Sequence, residues 1–344
     1  MINPMKSYAI LIHPGHNRVY YDNAMNLMLE EIKAVMLNTD CPIDGVEPTM
    51  IAKIPYVTFQ VEGDLSHEAT MMLGRLSAFF ALYAVEAGDM LRPILCDAKY
   101  KFPESINTIL KYIGKTNEQF THLMINLATA ACKTGTERKR LLDPLAGKGT
   151  TLFEATRFGY DTVGVETNEK WIKEGENYMV RYLKTGRYKH KVQTESKSEG
   201  KRKIAKMAHI TFANDKEAYQ AGNTQLMSMI HADTRMVQKI VRKRSCDMIV
   251  ADLPYGIQHA SKGQGGMKSK SATALVKEAL PSWLSALRKG GSMVLSFNTH
   301  TTKRVELAAV CRSHGMEVLE DAPFVGYEHA VDQAIKRDIL VCSL

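Results

Sequence analysis

The chain has 344 residues, 45% hydrophobic and 24% charged, which is typical of a globular protein with room for about two domains. Its net charge of +8 favours a polyanionic partner. The six scattered cysteines include no Cys-x-x-Cys pair, which argues against structural zinc and a disulfide framework. Residues 1–6 lack a signal-peptide core, and the most apolar helical stretch, 76–87, is too short to span a bilayer. We expect a protein of the reducing cytoplasm with no membrane partner.

Residues 1–105 are predicted to form a small α+β domain. Strands are expected at 8–12 and 54–61, and a helix at 22–36, where apolar residues recur at helical spacing. A long helix is expected at 66–87, with Gly88 as its stop. Since no internal repeat or named recognition module is found here, the domain is a candidate for substrate recognition or dimerisation.

The clearest pattern in the chain is a strand, a glycine turn and a helix over residues 141–156. That order is typical of dinucleotide-type folds. The spacing of Gly147 and Gly149 differs from that of a phosphate-binding P-loop, and it lets the backbone approach a ligand closely. Alone the signal is weak, because structural turns often contain Gly-x-Gly. Upstream, residues 111–126 predict a helix capped by Thr116 or Asn117, a pattern that any capped helix shows.

An acidic residue follows each of the next two predicted strands. Glu166 ends the strand at 162–165, where a carboxylate suits the two hydroxyls of a ribose. Asp233 follows the strand at 227–230, where it can accept a hydrogen bond from an adenine amino group. Each acid alone is more often a helix cap or a solvated charge. Together with the glycine turn, however, they predict the contacts that a nucleoside needs.

Residues 252–256, Asp-Leu-Pro-Tyr-Gly, follow a predicted buried strand at 247–251. Ligands bind beyond the carboxyl ends of strands in open α/β sheets. Asp252 and a carbonyl held by Pro254 can accept hydrogen bonds from a planar amine, while Tyr255 stacks on the ring that bears it. The lone pair of the amine is then free to attack an electrophilic methyl group. Taken alone, an Asp-Pro turn with a core tyrosine explains the loop equally well.

Residues 184–206 hold nine basic and two acidic residues, a net charge of +7 that is nearly the whole charge of the chain. Residues 196–200 have the composition of a flexible segment. This composition fits a solvated mobile loop and a phosphate-binding arm equally well. Binding of phosphates by such an arm would depend strongly on salt. A second segment, 257–271, is rich in Gly, Ser and Lys and is predicted to be a mobile lid.

The remaining residues alternate between helix and strand. We expect a helix at 274–287 stopped by Gly290 and Gly291, a strand at 293–297, a helix at 305–311, and strands at 317–319 and 338–341. Such alternation predicts an α/β fold, a mostly parallel sheet with helices on both faces.

Residues 143–150 (Asp-Pro-Leu-Ala-Gly-Lys-Gly-Thr) and 252–256 resemble class I S-adenosylmethionine-dependent methyltransferases that act on an exocyclic amine of a nucleobase. With 114–117 (Gly-Lys-Thr-Asn) and 331–338 (Val-Asp-Gln-Ala-Ile-Lys-Arg-Asp), the chain is most similar to the tRNA guanosine-N2 methyltransferases, which often carry a THUMP domain. The resemblance covers 106–344 and implies a Rossmann-like seven-stranded methyltransferase sheet with a final antiparallel strand. Residues 1–105 show no recognisable THUMP domain, and the basic segment departs from the family as an insertion.

The resemblance implies S-adenosyl-L-methionine as cofactor and RNA, tRNA before rRNA, as partner. No metal is expected, since a sulfonium is already a good electrophile. The expected cofactor positions are Thr116, Asn117, Asp143, Pro144, Ala146, Gly147, Gly149, Thr150, Glu166, Thr167, Asp233, Thr234 and Asp252. The expected catalytic positions are Asp252, Leu253, Pro254 and Tyr255, and the expected substrate positions are Tyr255, Gly256, Lys262 and Lys268.

Three other functions remain open. A DNA adenine-N6 or cytosine-N4 methyltransferase uses a related loop, although little chain follows Asp252 for a separate DNA-reading domain. A non-catalytic, S-adenosylmethionine-responsive RNA-binding module could keep the fold, but it has no need for an acid that grips an amine. A small-molecule N-methyltransferase fits the basic segment poorly.

Overall fold

The computed structural model describes residues 4–13, 18–108, 115–255 and 271–344, with only the backbone for residues 18–22. Gly256, Lys262 and Lys268 therefore lie outside the described residues, as does Gly114. All of the predicted lid except Ser271 is also outside them.

The amino-terminal third is a five-stranded antiparallel sheet with two helices. Its strands are β1 (Met5–Ile12), β2 (Ile43–Ile51), β3 (Ile54–Glu62), β4 (Phe79–Glu86) and β5 (Met90–Ile94), and its helices are α1 (Arg18–Met36) and α2 (His67–Leu73). The strand order is β2-β3-β1-β4-β5. Alternate side chains of β3, among them Val57 and Phe59, point to one face and join a core with Leu27 and Ile32 of α1. The strands expected at 8–12 and 54–61 and the helix at 22–36 are present.

The long helix predicted at 66–87 is wrong. Helix α2 ends at Leu73, with Gly74 as its C-cap, and residues 79–86 form β4 instead. Strand β4 pairs with β1 on one side and with β5 on the other, and Gly88, at φ +73°, lies in the turn to β5 rather than at the end of a helix. An aromatic-rich run suits the half-buried surface of a sheet, so pairing with two neighbours outweighs the helical spacing of the apolar residues.

The remainder of the chain forms the larger unit. Its helices are α3 (Ser105–Thr108), α4 (Glu118–Ala131), α5 (Thr150–Arg157), α6 (Glu169–Thr185), α7 (Lys216–Gln220), α8 (Val237–Ile240), α9 (Ala272–Ala286) and α10 (Arg304–Ser313). Its strands are β6 (Arg140–Asp143), β7 (Asp161–Glu166), β8 (His190–Glu199), β9 (Arg202–Phe212), β10 (Gln225–His231), β11 (Cys246–Asp252), β12 (Leu287–Asn298), β13 (Glu317–Val318), β14 (His329–Ala330) and β15 (Lys336–Ser343).

Within the described residues these strands form one ten-stranded sheet in the order β13-β15-β12-β11-β6-β7-β10-β9-β8, with β14 paired to β15. Strands β10, β7, β6, β11 and β12 are parallel, and β15 joins β12 antiparallel. The expected seven-stranded Rossmann-like sheet with a final antiparallel strand is thus confirmed as β10-β7-β6-β11-β12-β15-β13. Strands β8 and β9 extend it beyond β10, and β14 adds a short pair at β15.

Two further predictions about this unit are corrected. The segment at 196–200 that looked flexible is the end of β8 and the turn to β9, an antiparallel hairpin in which Gly200 has a φ of +58°. Its polar composition concealed a strand because β8 is exposed along nearly its whole length. Gly290 and Gly291 do not stop a helix, since α9 ends at Ala286. They lie in β12, where the N–H of Gly290 donates to the carbonyl of Leu344.

Helix α4 joins the two parts of the molecule. Its apolar residues, including Leu123 and Leu127, belong to the same buried core as those of α1, β12 and β15. Asn126 of α4 also donates a 2.7 Å hydrogen bond to Glu31 of α1, and both side chains are buried. The domain boundary expected between residues 105 and 106 stays a prediction. Apolar residues from both sides of it share one buried core.

Candidate active site

The parallel strands β6, β7, β10 and β11 end at one edge of the sheet, and acidic side chains lie at that edge. Asp143, Glu166 and Asp252 are the last residues of β6, β7 and β11. Asp233 follows β10 by two residues and begins a short 3-10 turn. The acids that the sequence indicated are therefore gathered where the sheet presents a ligand site.

The glycine turn between β6 and α5 is held by Glu166. Gly147 and Gly149 have φ values of +53° and +100°, which residues with a side chain rarely adopt. The N–H of Gly147 donates to Glu166 Oε2 at 3.0 Å, while Glu166 Oε1 accepts from the N–H of Asn168 at 2.7 Å. One carboxylate thus joins the turns that follow β6 and β7. A side chain on Gly147 would meet nothing within 4 Å, so there is open space beside it.

Asp143 is a buried carboxyl group with few compensating contacts. Its Oδ1 accepts a hydrogen bond from the N–H of Leu145 at 2.9 Å. Burial raises its pKa to about 7, and the negative charges of Asp252 and Glu166 act in the same direction. Since three carboxylates influence one small region, this site suits a ligand that carries a positive charge.

Asp252 accepts hydrogen bonds from three hydroxyl groups. Thr116 Oγ1 donates to Oδ2 at 2.7 Å, and Ser296 Oγ donates to Oδ1 at 2.8 Å. The Tyr255 hydroxyl also donates to Oδ1. Three donors from separate segments fix the carboxylate in one orientation. A carboxylate has about four acceptor positions, so Oδ2, with one donor, can accept a further hydrogen bond from a substrate.

The loop after Asp252 is anchored by its backbone. Leu253 is buried, and its N–H donates to the carbonyl of Ser296 at 2.9 Å. Within the described part of the chain, the carbonyl groups of Leu253 and Pro254 accept no hydrogen bond. Among these residues, the two carbonyls are therefore available to a donor on a ligand, and their role in binding an amine stays a prediction.

Tyr255 lies against Arg337, whose guanidinium carbon is 5.1 Å from the centre of the tyrosine ring. The same carbon is 4.4 Å from the centre of the Phe120 ring. Burial, the Asp252 charge and the hydrogen bond to Asp252 raise the pKa of Tyr255 well above its usual value, although the positive charge of Arg337 opposes them. Tyr255 is consequently a neutral phenol with a fixed ring.

Four predicted cofactor positions have structural partners of their own. Asn117 caps α4 by accepting from the N–H of Phe120 at 2.9 Å. Thr234 is buried, and its hydroxyl and its carbonyl both accept from the indole N–H of Trp283, at 2.8 and 3.2 Å. Asp233 is paired with the guanidinium of Arg235. Thr116 lies with Asp252 rather than with the glycine turn.

The other predicted cofactor positions lie along the same edge. Pro144 and Ala146 are buried in the turn after β6, Thr150 is the buried first residue of α5, and Thr167 follows β7. Thr167 and Asp233 line one side of a cavity of about 330 Å³.

The sequence reading missed Ser296 and Arg337, two side chains of the Asp252 site. Ser296 lies in a buried strand, where Ser292, Ser296 and Asn298 share one face with Val294. Several polar residues on one face of such a strand are a usable signal, because buried hydroxyl groups need partners. Arg337 lies in residues 331–338, a segment that indicates the family resemblance but no role for this side chain.

Among the residues that the structure describes, no group of three or more His, Cys, Asp or Glu side chains is placed to hold a metal ion. The helices in the described ranges include none long and apolar enough to cross a membrane.

Comparison with solved structures finds methyltransferases, at low identity and low TM-score. An rRNA methylase from Streptococcus thermophilus shares 10% identity, with 67% of this chain and 98% of that chain covered and a TM-score of 0.34. A putative methyltransferase from Streptococcus mutans, in complex with SAH, shares 11% over 66% and 97%, with a TM-score of 0.37. Trm1 from Pyrococcus horikoshii, in complex with S-adenosyl-L-methionine, shares 10% over 67% and 56%, with a TM-score of 0.38.

A search of the curated proteins gave no match. The family model described as "RMKL-like, methyltransferase domain" matches residues 112–318, more than half of the chain. That range contains the glycine turn, Glu166, Asp233 and the Asp252 loop. The chain therefore belongs to the RMKL-like methyltransferase family.

Proposed function

We propose that the protein methylates an exocyclic amine of a base in RNA, with N2 of guanosine in tRNA as the preferred acceptor. The orientation of Asp252 by Thr116, Ser296 and Tyr255 is the single observation that carries this proposal. A carboxylate held by three hydroxyls at the end of β11 is suited to hold an amine. The preference for guanosine rests on the resemblance of residues 252–256 to guanosine-N2 methyltransferases.

The acidic edge of the sheet fits S-adenosyl-L-methionine. Asp143 and Glu166 would face its positive charge and its ribose, and the open space at Gly147 would admit it close to the backbone. Asp233 would reach the adenine only if its pairing with Arg235 leaves an acceptor free. When bound, the cofactor supplies an electrophilic methyl group.

Asp252 acts on the acceptor amine. Its Oδ2 accepts a hydrogen bond from the amine, and the carbonyl of Leu253 or Pro254 accepts a second. Both N–H groups of the amine then donate hydrogen bonds, which leaves the nitrogen lone pair free to attack the methyl group. Transfer would break the bond between the methyl carbon and the sulfur of the cofactor as the N–C bond forms, and Asp252 or solvent would take the proton that the positively charged nitrogen then loses.

Tyr255 positions the base that carries the amine. One side of its ring faces Arg337, and the other can stack on a base. Its hydroxyl donates to Asp252, which fixes the position of the ring relative to the carboxylate. A base bound in this way must be unpaired or turned out of its helix.

The test is transfer of tritiated methyl groups to total RNA and to DNA, followed by nucleoside analysis. Wild-type protein should label N2-methylguanosine in tRNA. Asp252→Ala and Asp252→Asn should bind S-adenosyl-L-methionine in calorimetry, yet transfer at least about 100-fold more slowly, because they lack the carboxylate. Asp321→Asn, which changes an exposed acid, serves as the control.

Two results would contradict the proposal. Transfer by Asp252→Ala within a few-fold of wild type would remove the proposed role of the carboxylate. Label in N6-methyladenine or N4-methylcytosine of DNA would replace RNA by DNA as the substrate.

A further inference from the structure

The basic hairpin of β8 and β9 reaches past the edge of the sheet that holds the candidate site. Strand β9 is antiparallel to β10, and their pairing ends at Lys206 and His231. His231 is in turn paired with Glu166, the last residue of β7. Residues 202–205 of β9 therefore continue beyond the carboxyl ends of the parallel strands, by about 13 Å at roughly 3.3 Å per residue. The hairpin tip, residues 197–203, stands on the same side of the sheet as Asp252.

The hairpin tip carries an excess of positive charge. Lys197, Lys201, Arg202 and Lys203 are exposed, and in the described ranges none of them forms an ion pair. The acid in the tip, Glu199, is paired with Lys239 of α8.

The pair between Glu199 and Lys239 places the tip next to α8, the short helix that follows β10. The pairing of β8 with β9 along residues 190–199 gives the segment a regular hairpin structure.

A cavity connects the tip to the predicted cofactor edge. It measures about 330 Å³ and lies between Arg202 and Lys203 on one side and Thr167 and Asp233 on the other. The tip therefore forms one wall of the approach to the acidic edge. A polyanion that bound the tip would lie next to the site without entering the region of the carboxylates, which would repel it.

We propose that the hairpin tip is an arm that binds the phosphate backbone of RNA next to the target nucleotide. That the bound polyanion is RNA rests on the proposed function. That the tip binds phosphates rests on its charge and its position. Lysine and arginine side chains on an exposed ribbon contact phosphates without reading bases. The arm therefore supplies affinity and places the acceptor strand, while the Asp252 loop selects the amine.

The test compares two triple variants with equal changes in charge. Lys197→Gln, Lys201→Gln and Lys203→Gln are combined at the tip. Lys184→Gln of α6, Lys189→Gln and Lys191→Gln are combined at and just before the opposite end of the hairpin, where the side chains are also exposed. The probe is a fluorescently labelled tRNA transcript, titrated with each protein between about 50 and 200 mM salt.

The tip variant should bind the transcript at least about tenfold more weakly at low salt, and its plot of log affinity against log salt should lose about one unit of slope per phosphate-contacting lysine. The control variant should keep the wild-type slope, and both should bind S-adenosyl-L-methionine normally. Equal losses of affinity in the two variants would contradict the proposal that the tip binds phosphates. An unchanged salt slope in the tip variant would contradict it as well. Competition by a DNA duplex as effective as by tRNA would overturn the assignment to RNA. Since binding is measured without methyl transfer, failure of the proposed activity would be seen separately.

Discussion

The guanidinium of Arg337 lies between two aromatic rings, 5.1 Å from the centre of Tyr255 and 4.4 Å from the centre of Phe120. Arg337 is 6% exposed, and its Nε has no hydrogen-bond partner among the described residues. In place of a carboxylate, the ring faces stabilise its charge. The arrangement fixes Tyr255, whose hydroxyl is already bound to Asp252.

Replacing Arg337 should loosen Tyr255 without affecting the cofactor. We expect Arg337→Met to lower methyl transfer about tenfold, since a buried cation–π contact contributes about 1–2 kcal/mol. Arg337→Lys should recover part of the loss. Single-turnover rates and calorimetry with S-adenosyl-L-methionine measure the two effects. Arg304→Met is the control, because Arg304 pairs with Asp338 and should affect stability alone. Equal losses of cofactor binding and transfer in Arg337→Met would refute this role.

Thr116 and Asp252 offer a test of how the carboxylate is oriented. Thr116→Val keeps the shape of the side chain but removes the hydroxyl that donates to Oδ2. Because a hydrogen bond to a charged group contributes about 1.5–3 kcal/mol, the single-turnover rate should fall about 10- to 100-fold. Thr116→Ser keeps the hydroxyl and should stay near the wild-type rate. If Thr116→Val turns over as fast as Thr116→Ser, the hydrogen bond does not orient Asp252.

The raised pKa of Asp143 predicts a pH dependence of cofactor binding. With a pKa of about 7, the carboxyl is mainly protonated below pH 7 and mainly ionised above it. A positively charged ligand prefers the ionised form, so its affinity should rise with pH through the range from about 6 to 8 and then level off. Calorimetry across that range gives the profile. Asp143→Asn should bind more weakly and with a flat profile. A wild-type profile that falls with rising pH would contradict this placement.

Glu154 should contribute to stability in a pH-dependent way. Burial opposes its charge, but contacts with His122 and Arg157 outweigh burial and lower its pKa to about 2. A lowered pKa in the folded state stabilises the protein above the unfolded value near 4.5, and this contribution is lost as pH falls toward 2. In urea unfolding at neutral pH, Glu154→Gln should lose about 3–5 kcal/mol. Glu137→Gln, at an exposed acid, should be neutral. A neutral Glu154→Gln would show that the buried network does not stabilise the fold.

Gly175 of α6 lets that helix approach the glycine turn. A methyl group there would lie 2.3 Å from the carbonyl oxygen of Lys148 and 2.6 Å from the side chain of Met229. Gly175→Ala should therefore shift the turn, lower the melting temperature and weaken S-adenosyl-L-methionine binding by about tenfold or more. Thermal unfolding and calorimetry measure both. The control is Gly135→Ala, where the added group meets nothing. A Gly175→Ala protein with wild-type binding would mean that the helix and turn can move apart.

Local pattern in the sequence predicted the acidic edge but not its partners. Glu166 and Asp252 each follow an apolar run, so strand and acid could be read together. Ser296 meets Asp252 only because β12 pairs with β11, a contact across 44 residues. The hairpin escaped prediction for a different reason: β8 buries neither face, so it lacks the alternation that marks a strand.

A hydrogen bond between Glu31 and Asn126 connects the amino-terminal third with the catalytic part. This contact bears on how the protein unfolds and on whether its amino-terminal third can be exchanged. Its buried carboxylate accepts from the Ser77 hydroxyl at 2.6 Å and from the amide of Asn126 at 2.7 Å. Removal of the catalytic part takes the Asn126 donor away from the buried Glu31, and removal of the amino-terminal third exposes the apolar surface of α4. We therefore expect one cooperative unfolding transition rather than two. Exchange of the amino-terminal third for an unrelated module would require a new surface on α4 at the same time.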